Sequence, residues 1–333
     1  MRLLIYEFIT GGGLIDAPLP PSLRREGAMM RDALLRDVDE LRDATVILTR
    51  DARCRWPSNS AKTICIEPRD GERGLALFER AVASADVVWP IAPDAELLSL
   101  ARIVGAAGKR IILSDEETIA LCASKFDTSR RLQESCVTTV ATYCNAADIR
   151  GQSGQWISKP DNGSGGEGIR LWPNSDAAFQ ASLSEIEYPR VFQPWCSGDS
   201  LSLSLLCFQG LLTVLSVNRQ RISWRDGEPR LDAITVNTDD RKEFQLLAQQ
   251  ISQAMPGMRG YIGVDLIRSD DGVLHVLEIN PRLTTSYCGL RDALGVNVAA
   301  MVLADLNGES PSETEFVTDR PIDLHLVETV TDE

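Results

Sequence analysis

Two apolar runs late in the chain carry acidic residues that an apolar strand does not tolerate without a partner. The first is Gly260-Tyr261-Ile262-Gly263-Val264-Asp265-Leu266-Ile267, and the second is Val273-Leu274-His275-Val276-Leu277-Glu278-Ile279-Asn280-Pro281-Arg282. A buried charge costs free energy unless it is paired, hydrogen-bonded or bound to a cation. Between the runs, Asp270-Asp271-Gly272 is a turn signal, so an antiparallel hairpin is expected that brings Asp265 close to Glu278. The period of two in a strand puts Glu278 and Asn280 on one face. Two carboxylates and an amide oxygen make a hard donor set. Such a set suits Mg²⁺, or Mn²⁺, that keeps part of its water and is completed by phosphates. The competing arrangement pairs Glu278 with Arg282 and leaves Asp265 to cap a turn.

Composition excludes some classes of function. The chain has 333 residues, enough for two or three packed units, and its formal net charge of -14 argues against a nucleic-acid partner. A local cluster of Lys and Arg can still meet a small anion. There is no run of 18 or more apolar residues, so no membrane span is expected. The opening Met1-Arg2-Leu3-Leu4-Ile5-Tyr6 is cut short by Glu7 and by Gly11-Gly12-Gly13, and reads as a first strand rather than a leader. The eight cysteines form no Cys-x-x-Cys pair, and Cys65, Cys122 and Cys207 sit in apolar runs. They are expected to be reduced core thiols of a cytoplasmic protein. With only His275 and His325 present, a multi-histidine metal site is not expected.

The chain changes its grammar near residue 115. Before it, strand-like runs at 3–8, 44–48, 63–66, 86–91 and 110–113 alternate with helical patterns at 23–41, 74–83 and 94–107. That alternation predicts a parallel sheet with helices on its faces. After it come helices at 116–121 and 125–134, then strand pairs at 155–159 with 168–172, 190–196 with 201–208, and 258–268 with 273–280. A further strand is expected at 211–218, with helices at 175–186, 241–255 and 296–306. Paired strands with short links indicate antiparallel sheet. The tail after Gly308 is polar and reads as loose.

Two glycine-rich segments stand out. Thr10-Gly11-Gly12-Gly13 follows the first strand, but its glycines are contiguous, and Pro18, Pro20 and Pro21 delay the next helix. A dinucleotide fingerprint needs spaced glycines that open a helix, so a turn, either plain or lining a substrate pocket, is expected instead. The second is Ser158-Lys159-Pro160-Asp161-Asn162-Gly163-Ser164-Gly165-Gly166-Glu167-Gly168-Ile169. Its lysine precedes the glycines at the end of a strand, which separates it from a P-loop. Strand, glycine loop, strand is a geometry in which backbone N–H groups can cover phosphates while Lys159 reaches in from below. An exposed hairpin with a glycine tip is the alternative.

Taken in this order, the segments resemble the ATP-grasp superfamily over about residues 116–306. The resemblance implies an ATP-grasp fold, mixed α/β and α+β. Its N-terminal open α/β (pre-ATP-grasp) substrate domain would span 1–115, a small lid subdomain 116–190, and a large subdomain with the metal site 191–333. By the same resemblance, Lys125 and Lys159 meet the nucleotide phosphates under a loop of Gly163, Ser164, Gly165 and Gly166. The hinge Gln193-Pro194-Trp195-Cys196 contacts adenine, Asp199 or Ser200 takes the ribose, and Asp265, Glu278 and Asn280 hold Mg²⁺. Some relatives carry an arginine two residues before the metal aspartate. This chain has Gly263 there, so the cation facing the transferred phosphate becomes Arg282, with Arg219 second.

Within the superfamily, the chain resembles the tyramine–glutamate ligases of methanofuran biosynthesis. The matching segments are Tyr6-Glu7, Arg25-Glu26-Gly27-Ala28-Met29-Met30, Leu121-Cys122-Ala123-Ser124-Lys125 and Glu278-Ile279-Asn280-Pro281-Arg282-Leu283-Thr284-Thr285. This implies L-glutamate, tyramine and ATP as substrates, joined through an acyl phosphate. A phenol ring needs an apolar slot with a polar end, and residues 7–13, Glu26, Ser286 and Tyr287 are the expected places. Glu26, or the acyl phosphate itself, would take the amine proton; the plainer role for Glu26 is a solvated first-turn residue. Another acid–amine ligase acting on amino acids or a peptide is the alternative, and a non-catalytic nucleotide sensor a distant one. Nothing in the sequence speaks to oligomeric state.

Overall fold

The computed structural model of the protein describes residues 1–41, 43–56, 63–163, 166–183, 189–225, 227–309 and 316–326. The first part of the chain winds β1 (Arg2–Glu7), α1 (Pro21–Asp39), β2 (Thr45–Thr49), β3 (Thr63–Ile66), α2 (Gly74–Ala83), β4 (Val87–Ile91), α3 (Asp94–Ala106) and β5 (Arg110–Ile111). The strands form one parallel sheet in the order β3-β2-β1-β4-β5. Strands covered on both faces read as continuous apolar runs, and β1 shows how the two faces are divided. Leu3 and Ile5 enter a core with Leu34 and Val38 of α1, whereas Leu4 and Tyr6 pack against Phe78 of α2 and Leu97 of α3.

The second part begins with α4 (Glu116–Ala123) and α5 (Lys125–Glu134). Then follow β6 (Trp156–Pro160), β7 (Arg170–Trp172), α6 (Ser175–Ser182) and β8 (Arg190–Pro194). These three strands form a small antiparallel sheet in the order β7-β6-β8, with its own core around Trp156, Ala178 and Phe192. The remaining elements are β9 (Gly198–Phe208), β10 (Leu211–Arg225), β11 (Glu228–Val236), α7 (Gln245–Ala254), β12 (Gly260–Ser269), β13 (Leu274–Asn280), α8 (Tyr287–Leu294), α9 (Val298–Leu306) and β14 (Ile322–His325). Their strands make a six-stranded sheet ordered β13-β12-β9-β10-β11-β14. One face packs on α7 and on Cys122 and Leu132 of α4 and α5. The other shares a core with α1, α8 and α9, so the large sheet and the N-terminal sheet are joined through common apolar packing.

Several expectations need correcting. The runs at 190–196 and 201–208 do not pair: β8 pairs with β6, and β9 with β10 and β12. The chain therefore changes sheet between Pro194 and Gly198. Strand β10 continues well past residue 218 and pairs with β11, an element not expected at all. The tail is not loose throughout, because β14 adds to the edge of β11. Helix α8 was also unforeseen, and α6 ends at Ser182, with residues 184–186 of the expected helix lying outside the described residues. Cys122 and Cys207 are buried, but Cys65 on the edge strand β3 is exposed, and all eight cysteines are unbridged. Among the described residues, no single helix is long and apolar enough to cross a membrane.

Candidate active site

The β12–β13 hairpin places Asp265 directly across from Glu278 and Gly263 across from Asn280, with a bulge just after Asp265. Asn280 Nδ2 donates to Asp265 Oδ2 at 3.0 Å, and Gln220 Nε2, from β10, donates to Asp265 Oδ1 at 2.8 Å. Burial, with Glu278 alongside, pushes the Asp265 carboxyl up to about 7. Burial would raise Glu278 too, but the positive charges of Lys125, Lys159 and Arg282 hold it below the usual carboxylate range. A side-by-side pair in which one member resists ionisation is a site that gains from a divalent cation. Among the described residues, no group of three or more His, Cys, Asp or Glu surrounds a common point. The pair with the Asn280 amide oxygen would make a hard donor set that fits Mg²⁺ or Mn²⁺. The arrangement in which Glu278 pairs with Arg282 and Asp265 caps a turn is not what forms.

Two lysines approach this pair from the other side. Lys125, at the start of α5, lies 3.4 Å from Glu278 and donates to the backbone oxygens of Gly163 at 2.5 Å and Asp161 at 3.4 Å. It thus anchors the start of the glycine loop behind the cleft wall. Lys159 is buried on β6, and burial, aided by Lys125 and opposed by Glu278 and Asp265, lowers its pKa to about 8. The cleft measures about 650 Å³, and Lys159, Gly166, Gln193, Asp265 and Glu278 all line it. Ser164 and Gly165 lie outside the described residues.

The hinge segment closes the far end. Gln193 is buried and donates to Thr142 Oγ1 at 2.8 Å, while Pro194, Trp195 and Cys196 line the cleft. Trp195 meets Trp224 of β10 edge-on, with ring centroids 5.5 Å apart. Asp199 is bound at 3.2 Å by both Arg219 and Arg268. Ser200 Oγ donates to Gln220 Oε1 at 2.8 Å, so one amide side chain connects the turn after the hinge to Asp265. Gln220 was missed in the sequence, where the only signal was an amide in the strand register of β10.

Arg282 lines the cleft, but its guanidinium is gripped by Asp94 at the start of α3. Nε and Nη2 donate to the two Asp94 oxygens at 3.0 Å each, and Nη2 also reaches Asn280 Oδ1 at 3.1 Å. Gly263 also has a structural reason. A Cβ there would lie 2.4 Å from Thr284 Cγ2, so the turn after β13 occupies the space an arginine side chain would need. Gly263→Ala is expected to cost about 1–3 kcal/mol through overpacking, read as a lowered midpoint in urea. A midpoint equal to wild type would show that the 284–286 turn yields freely.

The N-terminal contribution differs from expectation. Residues 7–13 do not line the cleft. The buried Glu7 carboxylate is used inside its own loop, accepting from Ile9 N, Thr10 N and Thr10 Oγ1 at 3.1, 2.6 and 2.6 Å. Tyr287 is likewise a core residue and donates to Asp37 at 2.6 Å. Glu26, Thr285 and Ser286 do line the cleft.

An ATP-grasp domain family matches residues 122–286, and a pre ATP-grasp 3 domain family matches residues 44–119. The chain is similar to the tyramine–L-glutamate ligase of Methanocaldococcus jannaschii, with 24% identity over 92% of this chain and 90% of that protein. Among solved structures, it resembles an ATP-grasp superfamily protein from Archaeoglobus fulgidus, with a TM-score of 0.69 and 21% identity over 98% of this chain and 92% of that one. It also resembles an L-amino acid ligase from Bacillus licheniformis, with a TM-score of 0.65 and 18% identity over 96% and 77% of the two chains. From the pre-ATP-grasp sheet to the carboxylate pair on the β12–β13 hairpin, the chain belongs to the ATP-grasp superfamily.

Proposed function

We propose that the protein is an ATP-dependent carboxylate–amine ligase that joins L-glutamate to tyramine through an acyl phosphate. The observation that carries this reading is the meeting, in one cleft, of the Asp265–Glu278 pair, the buried Lys159 and the 193–196 hinge. A carboxylate and an amine do not condense in water without activation. Transfer of the γ-phosphoryl group of ATP to the carboxylate gives a mixed anhydride that an amine can attack, with phosphate as the leaving group. Asp265, Glu278 and Asn280 would hold the divalent ion, which supplies charge neutralisation at the phosphates when bound. Lys159 offsets phosphate charge from β6, and Lys125 steadies the glycine loop beside it. Arg282, oriented by Asp94, presents positive charge where the acyl phosphate would form. This is catalysis by positioning and fixed electrostatics.

The substrate pair rests on the M. jannaschii relative, whose name gives tyramine and L-glutamate. A panel of amines tests it: protein, Mg-ATP and glutamate are incubated with tyramine, other aromatic amines, aliphatic amines and amino acids, and ADP and the amide product are measured. Tyramine is expected to give the fastest turnover. Equal rates with unrelated amines would remove the tyramine assignment, and a preference for amino acids would favour a peptide-forming ligase instead.

A further inference from the structure

Four acidic side chains line the cleft among the described residues: Glu26, Asp199, Asp265 and Glu278. Three are accounted for. Asp265 and Glu278 are the metal pair, and Asp199 is neutralised by Arg219 and Arg268 at 3.2 Å each. Glu26 is different. It is half-buried and accepts one hydrogen bond, from Thr285 Oγ1 to its Oε2 at 3.0 Å, and among the described residues its other oxygen meets no donor and no Lys or Arg pairs with it. Arg282 is close enough to act on it electrostatically, yet the hydrogen-bonding fork of that arginine is directed at Asp94.

The carboxylate is nevertheless held firmly in place. On one side of it in the chain, Arg25 Nη1 donates to the Leu326 carbonyl at 2.6 Å, beyond β14. On the other side, Gly27 packs so tightly on the Glu7 carboxylate that a Cβ would lie 2.6 Å from it. These contacts fix the first turns of α1 and aim Glu26 at the Thr284–Ser286 side of the cleft. The buried Glu7, which has no place on the cleft wall, thereby acquires a purpose: its loop is the bed on which α1 rests. A solvated first-turn glutamate needs no such support, and burying one without a counter-ion is unfavourable. A cation brought by the substrate would supply that partner.

We propose that Glu26 is the catalytic residue on the amine side of the reaction, serving as counter-ion to the substrate ammonium group and as acceptor of its proton. This rests on the ligase reading above. An alkylamine is an ammonium ion at neutral pH and has no lone pair with which to attack. Glu26 takes one proton, and the freed nitrogen lone pair attacks the acyl carbon. The C–N bond forms, the bond from the acyl carbon to the phosphate oxygen breaks, and the bonding electrons leave with phosphate. The second N–H proton departs on the phosphate as hydrogen phosphate, and Glu26 returns the first to solvent. The chemical class selected is therefore a primary amine that carries positive charge in solution.

Hydroxylamine separates this role from a structural one, because it is neutral at neutral pH and attacks acyl phosphates without first losing a proton. Glu26→Gln keeps an oxygen that can accept from Thr285, so α1 should stay in place. The variant and the wild type are assayed with glutamate and Mg-ATP, using tyramine in one arm and hydroxylamine in the other. We expect the tyramine rate of the variant to fall about 100-fold further than its hydroxamate rate, with a raised KM for tyramine. Equal losses in both arms, or no loss with tyramine, would overturn the role of Glu26. If the wild type forms hydroxamate but no amide with any charged amine, the proposal fails while the carboxylate-activation reading stands. A wild type that forms neither product sinks both.

Discussion

Replacing Glu278 with glutamine should slow amide synthesis and ADP release by about 10²–10³-fold while leaving the protein folded. The substitution keeps size and shape and removes one of the two carboxylates that stand opposite each other on β12 and β13. Two opposing electrostatic changes follow within the protein. Lys125 loses the anion 3.4 Å away, and Asp265 loses the like charge that helps to raise its pKa. These changes offset each other, so the stability change should stay within about 1 kcal/mol. The loss should therefore appear in turnover and in the Mg²⁺ dependence, with a higher Mg²⁺ concentration needed for half-maximal rate. Thermal melting run alongside distinguishes a damaged site from a damaged fold. Wild-type turnover in this variant would mean that the hairpin does not hold the metal.

Asp94→Asn should be the most destabilising single polar substitution among the site residues, costing about 3–5 kcal/mol. Asp94 and Arg282 retain 13% and 12% of their side-chain exposure, and the contact is bidentate. Removing the charge leaves a guanidinium in a half-dry site with a poorer partner, which costs more than the pair itself contributes. Activity should fall as well, because Arg282 loses the fork that orients it over the cleft. A double-mutant cycle with Arg282→Gln checks the cause: the second substitution should cost little once the first is present. Additive costs would show that Asp94 acts on α3 alone and not through Arg282.

The degree to which the molecule could be read from its sequence depends on the distance between cause and effect along the chain. The alternation of the first hundred residues and the β12–β13 hairpin rest on local signals, namely apolar runs, a turn and a strand period, and both form. The Asp94–Arg282 contact joins residues 188 positions apart, and no local pattern announces it. The pairing of β8 differs from expectation for a related reason. Two strand-like runs with a short link look like a hairpin, and only the pairing of Gln193 with Ile157 shows that β8 turns the other way. The far end of β10 was hidden by its chemistry: Arg219, Arg221 and Arg225 interrupt the apolar pattern because that part of the strand projects beyond the core. Helix α8 is only eight residues long, too short to show a sustained helical period, and the Ser286 side chain at its N-cap makes no capping hydrogen bond. Glu7 drew attention as an acid at a strand end, and its hydrogen bonds instead serve the loop that follows it.

The small strand β14 bears on how variants of this protein should be built. It shields the backbone of β11 over Ala233–Val236. Without it, the six-stranded sheet would end in an uncovered row of N–H and C=O groups, open to pairing with the same edge of another molecule. Shortening the chain ahead of Ile322 would thus risk aggregation, and would also take away the Leu326 carbonyl that holds Arg25 next to Glu26. A truncation meant only to tidy the C-terminus would reach solubility and the amine side of the cleft together.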